Sequence, residues 1–539
     1  MVIRFIQAAL IVLLAVAPAI VKAQVSSGQV LGQVQKSITP SQLPSVRAPT
    51  IAPQIIQTFA TNGPKMLLKG VRFSGNTAVG SDELLSGVRE FVGVRVGIND
   101  LLLISDILVQ RYTQAGFLAN VTLPAQDVTS GVVLFEITEA RLGDVIFSDD
   151  QIDKVRVERE TVTETIDVAN PKQQLVVLDK IDRAILLLDD LKGVSVSGGL
   201  QAGKNEKETD LLLEVQPEPV FSGSINFDNF GSSNTGERRL ILSTSYASPL
   251  NIGDQFNVIA LGTEGVKYGS LGYRAPVGYS GLIASVQVGR MEYETKSINT
   301  HGSSSSFDGK LQYPMTRSFS ANHYLTAEIE RKTFNAWVWM TDEDGQSGGY
   351  DQSEKYDLSA VTIGLTGNKS MANGEIAYSL SLKHGYVDDS GNNANQAFSK
   401  LSASGNLRLP VQQNLNFNLN VEAQLATNSL KPSDSIYLGG FNGVRAYEEG
   451  KGGGSEGIRL AIELDSQLTD GVVGTLFFDG GRVVDNTRKT DLKGVGIMLN
   501  FTSPDGLQVR TIFSNPVEYE TSESATPQAR FGISISKVF

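Results

Sequence analysis

Residues 414–425 read NLNFNLNVEAQL and decide the fold, because two kinds of side chain alternate along them without interruption. One set is apolar and contains Leu415, Phe417, Leu419, Val421, Ala423 and Leu425. The other set is polar and contains Asn414, Asn416, Asn418, Asn420, Glu422 and Gln424. A period of two residues is that of a β-strand whose two faces meet different surroundings. In a soluble sandwich the apolar face would cover a core, whereas in an outer-membrane barrel it would meet lipid and the polar face would line a wet lumen.

The turns around this strand favour the barrel. From about residue 220 onward, short turns that contain proline or glycine, such as APVGYSG, LPVQQN and TSPDG, alternate with long polar segments. Short turns at one end and long loops at the other are typical of bacterial outer-membrane barrels. The final segment RFGISISKVF also alternates, and we expect it to close the barrel by pairing with the first strand, FSGSINFDN. The sequence therefore predicts an all-β transmembrane barrel of about 16 antiparallel strands over residues 220–539.

The start of the chain has the pattern of an export signal. Arg4 precedes the apolar run AALIVLLAVAP, and the small-residue segment VKA ends at Ala23. The run is shorter than the ~20 residues that a spanning helix needs, so we predict a cleaved signal peptide over residues 1–23 rather than a membrane anchor. No later apolar run reaches the roughly 18 residues that would indicate a transmembrane helix. Membrane residence would then require a barrel, since only helices and closed barrels satisfy every backbone group in lipid.

Between the signal and the barrel the chain divides into a linker and two small domains. Residues 24–64 are rich in proline, glutamine and serine, which predicts a linker, with one short amphipathic helix near residues 28–38 or disorder as the alternative. The apolar face of that helix would contain Val30, Leu31, Val34 and Ile38. Residues 65–140 have the order β-α-α-β-β, and residues 141–219 repeat it more loosely. We therefore predict two α+β domains ahead of the barrel.

The composition argues against several classes of function. The chain has 539 residues, no cysteine and only three histidines, His301, His323 and His384, which are far apart in sequence. Thiolate chemistry is therefore impossible, and no plausible nucleophile–base pair indicates an enzyme. The acidic segment TDEDGQSGG does not have the spacing of an EF-hand loop, so we expect neither a metal nor a cofactor. A net charge of −12 argues against non-specific binding to nucleic acid.

Several segments, taken in order, carry a family resemblance. They are VRFSGNTAV in the first α+β domain, INFDNFGSSNTGERRLILSTSYASPLNIGDQFNV at the first barrel hairpin, and SDSIYLGGFNGVRAYEEG with FFDGG near the C-terminus. Together they resemble the two-partner secretion transporters of the TpsB class, typified by the ShlB/FhaC/HecB haemolysin secretion/activation proteins. That class belongs to the BamA-related superfamily of outer-membrane barrels with periplasmic POTRA (polypeptide-transport-associated) domains. The resemblance covers essentially the whole chain after the signal.

The resemblance implies a tether inside the barrel. In this family a loop folds back into the lumen, and the arginine of its V-R-G-[FY] motif pairs with the aspartate of an F-x-D-x-G strand. The matching residues here are Val444, Arg445 and Tyr447 in the loop and Phe477, Asp479 and Gly481 in the strand. The two-residue period places the strand residues on one face, and an arginine can bind a carboxylate with two parallel hydrogen bonds. Without the family pattern, a solvated Arg445 that never meets Asp479 is the alternative.

Ala446 departs from the glycine of the family motif. If this position required a positive φ, alanine would be costly, so its presence predicts a negative φ or some strain. The segment around it, residues 437–457, is otherwise rich in glycine.

The resemblance also implies protein export without ATP. A POTRA domain offers an open strand edge and an apolar groove, to which an extended segment of the exported chain can add as a strand. The candidate surface in the first domain contains Leu101, Ile104, Leu108, Tyr112, Val121 and Leu123, with a purely structural role in that domain's core as the alternative. The exported chain would then cross the lumen and fold outside. No Walker-type GxxxxGK[ST] sequence occurs.

The implied partner is a large secreted exoprotein, such as an adhesin, a cytolysin or a haem-binding protein. The transporter itself would be a monomer in the outer-membrane lipid of a Gram-negative bacterium, with its POTRA domains in the periplasm. Two alternatives remain open at this point. One is an outer-membrane protein assembly factor of the BamA-like class, and the other is a small-solute porin.

Overall fold

The computed structural model describes residues 26–38, 43–46, 64–148, 150–205, 207–295, 299–341, 348–389, 395–486, 488–517 and 528–539. The predicted signal peptide and most of the predicted linker lie outside these residues. Helix α1 (Ser27–Ile38) precedes the two domains and the barrel. Of the helices in the described ranges, none is long and apolar enough to span a membrane.

The first domain is a three-stranded sheet covered by two helices. Its elements are β1 (Met66–Leu67), β2 (Gly70–Ser74), α2 (Ser81–Val88), β3 (Arg95–Val96), α3 (Ile98–Gln114), β4 (Ala119–Thr122) and β5 (Val132–Glu139), with a short 3₁₀ helix at Arg89–Phe91. The sheet order is β2-β5-β4, with β2 parallel to β5 and β4 antiparallel to it, and β1 pairs separately with β3. One side of α3 packs on this sheet because its apolar residues recur every three or four positions.

The second domain repeats this topology. Its elements are β6 (Arg141–Phe147), α4 (Arg159–Ala169), α5 (Leu178–Asp189), β7 (Val194–Ala202) and β8 (Glu208–Pro217), with a short 3₁₀ helix at Asp150–Asp153. The sheet order is β6-β8-β7, with β6 parallel to β8 and β7 antiparallel to it, which corresponds strand for strand to the order in the first domain. The α+β character predicted for this part of the chain is confirmed.

The rest of the chain is mainly a barrel. Its strands are β9 (Phe221–Asp228), β10 (Arg239–Ala247), β11 (Gln255–Gly262), β12 (Val266–Val277), β13 (Leu282–Glu294), β14 (Thr300–Arg317), β15 (Ala321–Thr341), β16 (Gly348–Met371), β17 (Gly374–Asp388), β18 (Gln396–Gln412), β19 (Leu415–Ala426), β22 (Glu456–Thr469), β23 (Val472–Asp485), β24 (Arg488–Thr502), β25 (Leu507–Pro516) and β26 (Arg530–Val538). Between β19 and β22 lies a short pair, β20 (Ile436–Tyr437) and β21 (Gly453–Gly454). Within the described residues, 16 antiparallel strands form one closed barrel, so the predicted strand number is confirmed.

The barrel closes between its first and last strands, as the alternating C-terminal segment predicts. Strand β26 pairs antiparallel with β9, with Ser534 opposite Asp228 and Val538 opposite Ser224. The two faces of the wall differ as expected for a membrane barrel. Leu425 of β19 is 59% exposed on the outer face, whereas the adjacent Gln424 is 7% exposed on the lumen side.

The second domain docks against turns at one end of the barrel. Arg317, at the end of β14, binds the two carboxylate oxygens of Asp190 at 2.8 and 2.9 Å. Arg183 of α5 donates to the carbonyl oxygen of Pro314 at 2.7 Å, and Arg156 donates to that of Ser248 at 3.1 Å. Successive connections of an antiparallel barrel lie at alternate ends. The connection between β19 and β22 therefore lies at the end of the barrel opposite the second domain.

Candidate functional site in the barrel lumen

The connection between β19 and β22, residues 427–455, folds back into the barrel, and we call it the lumen loop. Its apolar side chains form a small core with the wall, composed of Ile436, Leu438, Val444, Ala446, Tyr447, Val483 and Leu492. Gly481 makes room for this core, since a Cβ at that position would lie 2.6 Å from Leu438 Cδ2. The backbone turns tightly here, with Val444 N–H donating to the Leu438 carbonyl at 2.7 Å.

Arg445 and Asp479 meet in a two-pronged ion pair. Arg445 Nε donates to Asp479 Oδ2 at 2.9 Å and a terminal nitrogen donates to Oδ1 at 2.6 Å. The Arg445 backbone N–H adds a third hydrogen bond to Oδ2, at 2.9 Å. Arg445 is 6% exposed and Asp479 is fully buried. Such geometry restores much of the interaction energy that both charges lose on leaving water.

Two further residues complete the environment of the Arg445 guanidinium. Phe477 lies under it, with the guanidinium carbon 3.5 Å from the ring centroid, so the cation also contacts an aromatic face. Glu463 of β22 lies 2.7 Å from the remaining terminal nitrogen. The sequence motif identifies Phe477 but not Glu463. The alternation of the sequence places Glu463 on the lumen face of the strand before β23, but only the structure gives the register that sets it opposite Phe477.

The backbone of Ala446 is not in the left-handed region, and the alanine is 2% exposed. Its methyl group packs against the backbone of Gly494 on β24, which is paired with Asp479. A Cβ at position 494 would lie 2.6 Å from Ala446 Cβ, so a small residue is required there. The substitution of the motif glycine is therefore accommodated by space in the facing wall.

The predicted loop residues Val444 and Tyr447 are buried on either side of the tether. Val444 is fully buried, and Tyr447 is 8% exposed. The Tyr447 carbonyl accepts hydrogen bonds from Gly440 N–H at 3.0 Å and from Arg530 of β26. Arg530 also stacks on Phe441, 4.3 Å from its ring centroid. The tip of the lumen loop is thus attached to the closing strand as well as to β23.

Helix α1 occupies the lumen beside the loop. Its apolar face, formed by Val30, Leu31 and Val34, packs against inward-facing residues that include Phe334 and Tyr356. At its N-terminus the Ser27 N–H donates to Glu354 Oε2 at 3.0 Å, a favourable position for a carboxylate at the positive end of a helix dipole. At its other end Lys36 Nζ lies 3.4 Å from Glu422 Oε2.

Helix α1 and the lumen loop also contact each other. A Cβ at Gly28 would lie 2.8 Å from the backbone nitrogen of Ser433, so only glycine fits at that crossing. Near the other end of α1, Arg459 pairs with Glu422, the partner of Lys36, and also donates to the Asn442 carbonyl of the loop. The two elements therefore fill the lumen as one packed unit.

The substrate-binding surface predicted in the first domain requires a correction. Leu101 and Val121 are 6% and 8% exposed, and Ile104, Leu108 and Tyr112 are fully buried. Leu123 is partly buried and packs against the same core. Leu101, Ile104, Leu108 and Tyr112 form the stripe of α3 that faces the sheet, and Val121 of β4 and Leu123 belong to the same core. Apart from Leu123, their side chains offer almost no surface to an incoming chain while the domain is folded.

Glu139 forms a group of hydrogen bonds at the edge of the core of the first domain. Glu139 accepts hydrogen bonds from Tyr112 Oη at 2.8 Å, from the N–H groups of Thr77 and Ala78 at 2.6 and 2.7 Å, and from the Thr77 hydroxyl. Burial alone would raise the pKa of Glu139, but the hydrogen bonds outweigh it and the pKa is lowered. Burial and the same carboxylate raise the pKa of Tyr112 above its ordinary value.

A group of carboxylates in the wall has a spacing compatible with a metal. Oxygen atoms of Asp308, Glu328 and Glu330 lie within 4.8 Å of one another. Lys332 Nζ, however, lies 3.1 Å from Glu330, and Lys383 pairs with the same carboxylate. Because ammonium groups already neutralise this cluster, we assign no metal site there.

Two repeated α+β domains, a closed barrel and an internal loop define a POTRA-barrel protein of the outer membrane. Comparison with known proteins supports this class and identifies the family within it. The model of the family described as haemolysin secretion/activation protein ShlB/FhaC/HecB matches residues 207–501, and that of the ShlB-type POTRA domain matches residues 66–140. The chain therefore belongs to the ShlB/FhaC/HecB family, whose members are outer-membrane transporters of the two-partner secretion (TpsB) class.

Relatives and solved structures agree. The chain is 24% identical over 498 residues to the heme/hemopexin transporter protein HuxB of Haemophilus influenzae strain 86-028NP, covering 86% of this chain and 85% of the relative. It is 21% identical over 465 residues to the outer membrane transporter CdiB of Dickeya dadantii, covering 82% and 79%. The fold resembles CdiB from Escherichia coli with a TM-score of 0.72 at 19% identity, covering 91% and 93%. It also resembles BamA from Haemophilus ducreyi lacking POTRA domains 1–3, with a TM-score of 0.54 at 13% identity, covering 87% of this chain and 99% of that structure.

Family membership determines the location and orientation of the chain. It resides in the outer membrane of a Gram-negative bacterium, with its POTRA domains in the periplasm. The turns that contact the second domain are therefore periplasmic, and the lumen loop enters from the cell-surface side.

Proposed function

We propose that this transporter recognises an unfolded exoprotein through its POTRA domains and passes it through the barrel to the cell surface without ATP. The observation that carries the proposal is the filled lumen. A polar wall encloses α1 and the lumen loop, and both are held by small apolar clusters together with ionic and hydrogen-bonded contacts that can break and re-form. A pore obstructed in this way suits a cargo that displaces the obstruction, rather than small solutes that diffuse freely.

Recognition would use the outer side of α3 and the edge of the first domain's sheet. Ile98, Leu102 and Leu103 are 46%, 39% and 42% exposed, an unusual amount of apolar surface for one helix. Strand β4 is an edge strand of the sheet and offers unpaired backbone groups. An extended segment of an exported chain could add there as a strand and place alternate side chains against the helix.

The route into the barrel would pass through the cavity between the second domain, α1 and the wall. It has a volume of about 1360 Å³, and its lining includes the polar residues Ser243, Ser245, Gln255, Asn257 and Gln287. Hydroxyl and amide groups offer hydrogen bonds to a passing backbone without a strong apolar grip. These features support a chamber that receives the chain before the plug, formed by α1 and the lumen loop, is displaced.

Passage would be driven by folding of the cargo outside the cell. The sequence has no Walker-type nucleotide site, which agrees with transport that does not hydrolyse ATP. Folding after exit makes return through the pore unfavourable, because a folded domain cannot re-enter.

The cargo is proposed to be a large secreted exoprotein, such as a haem-binding protein, an adhesin or a cytolysin. One relative is named as a transporter of heme/hemopexin. The transporter would act as a monomer in the lipid of the outer membrane.

Depletion of the transporter tests the proposal against the assembly-factor alternative. We expect one large surface or secreted protein to disappear while other outer-membrane barrels keep their abundance. Quantitative proteomics of the outer membrane and the culture medium measures both. A general fall in outer-membrane proteins would instead support a BamA-like assembly role, and an unchanged secretome would exclude export of a partner.

A further inference from the structure

The lumen loop has a second ionic anchor, on the limb that follows β19. Asp434 is 4% exposed, and its Oδ1 lies 2.5 Å from Lys383 Nζ on β17 and 2.9 Å from Lys400 Nζ on β18. Its carbonyl oxygen accepts hydrogen bonds from Lys400 Nζ at 3.1 Å and from Gln424 Nε2 at 3.0 Å. Lysines from adjacent strands thus converge on one loop residue and hold that limb against the wall.

Buried charged side chains of the wall surround this anchor. Glu330 of β15 pairs with Lys383 and lies 3.1 Å from Lys332 Nζ. All three side chains are at least nine-tenths buried. Without Asp434, Lys400 would lose the carboxylate and the carbonyl oxygen that it binds, and Lys383 would keep its pair with Glu330. Because an uncompensated buried charge is costly, the wall favours the docked loop.

The residue next to this anchor supports helix α1. A Cβ at Gly28 would lie 2.8 Å from Ser433 N and 3.1 Å from Ser433 Cβ, so the helix and the limb cross tightly at this point. Ser433 Oγ donates to Asp434 Oδ2 at 3.2 Å and accepts from Tyr356 Oη at 3.4 Å. The position of Ser433, and with it the seat of α1, therefore depends on where Asp434 is held.

We propose that Asp434 is a positioning residue that couples the lumen loop to α1. While Asp434 is bound to Lys383 and Lys400, Ser433 is held against Gly28 and the helix stays in the lumen. When that anchor breaks, α1 is released even if Arg445 remains bound to Asp479. The guanidinium of Arg445 contacts β22 and β23, whereas Asp434 contacts β17 and β18, so the two anchors can open separately. This inference rests on the proposed role of α1 as a plug.

A single introduced thiol can report the release of α1, because the natural chain contains no cysteine. Val34 is 6% exposed and faces the wall, so Val34→Cys is protected from a membrane-impermeant maleimide while α1 is seated. In the full chain reconstituted in lipid vesicles, Asp434→Asn should accelerate labelling about tenfold, and Asp434→Glu should restore most of the protection.

Asp465→Asn is the matched control. Asp465 is also a lumen-side carboxylate, but it accepts hydrogen bonds from wall residues, Asn418 at 2.7 Å and Thr475 at 2.6 Å. The labelling rate should therefore stay at the wild-type value. If Asp434→Asn does not assemble into a barrel, Lys400→Gln removes one lysine and should accelerate labelling about threefold.

Equal labelling rates in wild type, Asp434→Asn and Lys400→Gln would overturn the coupling and leave the export function untouched. Rapid labelling of the wild-type background would show that α1 does not rest in the lumen, which overturns both the plug role and this inference. Export is measured separately as the amount of partner in the medium. A transporter that exports nothing can therefore be told apart from one whose α1 is not coupled to Asp434.

Discussion

Arg445 is buried in the barrel interior, where an unpaired guanidinium would cost free energy. Asp479 supplies two oxygen acceptors, Glu463 a second carboxylate and Phe477 an aromatic face. Each contact uses a property that lysine lacks or has in weaker form, namely the planar fork and the flat face of the guanidinium. The tether is therefore specific for arginine, and charge alone does not account for it.

Replacement of Arg445 by lysine should weaken the tether despite the conserved charge. We expect Arg445→Lys to lower the free energy of unfolding of the docked loop by about 2 kcal/mol, since one ammonium cannot bind both oxygens of Asp479 and contact Glu463. Hydrogen exchange of amides in residues 437–452 measures this. Arg482→Lys is the control, because Arg482 binds Asp491 with two similar hydrogen bonds but is 60% exposed. A loss as large in the control would contradict the argument from burial.

The contact between Ala446 and Gly494 can be tested by a pair of substitutions. Gly494→Ala would place two methyl carbons 2.6 Å apart and should destabilise loop docking by about 1–3 kcal/mol. Ala446→Gly removes one of the two methyl groups, so the double variant should regain most of that loss. The same exchange measurement follows all three proteins. Equal destabilisation of the single and double variants would show that the two residues do not meet.

At the scale of elements, α1 requires a glycine at position 28 but not at position 32 in order to fit in the lumen. A Cβ at Gly28 would lie 2.6 Å from Tyr356 Oη, whereas a Cβ at Gly32 would meet nothing closer than the Ser433 carbonyl oxygen at 3.8 Å. The helix therefore has a tight end near the cell surface and a looser middle. This difference offers a way to move the plug without changing its charge.

Gly28→Ala should displace α1, and Gly32→Ala should not. The overlap at position 28 costs about 1–3 kcal/mol, so we expect the open fraction of the pore to rise roughly tenfold. Ion conductance in planar lipid bilayers reports the open fraction. The Gly32→Ala variant should conduct like wild type, or slightly less, since alanine favours helix formation. Equal conductance of the two variants would argue against the seating of α1 at Gly28.

The first domain should lose stability in acid through Glu139. Its pKa is lowered in the folded state, so its stabilising effect is complete above the ordinary glutamate pKa of about 4.3 and is lost as the pH falls through the folded value. We expect Glu139→Gln to destabilise the domain by about 1 kcal/mol at pH 7 and to make unfolding less dependent on pH below about 4.5. Calorimetry from pH 7 to pH 3 checks both effects. A variant that keeps the wild-type acid dependence would exclude Glu139 as its source.

At the scale of the whole molecule, much of the architecture is visible in the sequence. The alternation around Leu425 and Gln424 predicts the barrel because lipid and lumen impose opposite demands on successive side chains. The site is only partly visible. Glu463 cannot be selected from the sequence as the partner of Arg445, since Asp465 on the same strand and Glu422 on the neighbouring strand β19 also face the lumen. The recurrence of Leu101, Ile104 and Leu108 indicates one face of α3, but only packing shows that this face belongs to the core and is not a surface for substrate.

The three parts of the molecule are arranged in the order in which a cargo would meet them. The first domain presents apolar surface, the second domain is fastened to the periplasmic turns by Arg317 and Arg183, and the lumen holds the plug elements. We expect Arg445 to contribute to transport more than to assembly, because the strand pairs that close the barrel do not include it.

Partner secretion by an Arg445→Ala transporter tests this account most directly. The secreted partner in the medium and the folded transporter in the outer membrane are quantified in the same cells, with Arg482→Ala as the control. We predict that Arg445→Ala lowers secretion at least tenfold while barrel abundance falls less than twofold, and that the control secretes normally. Wild-type secretion from a normally assembled Arg445→Ala barrel would contradict the central role of the tether.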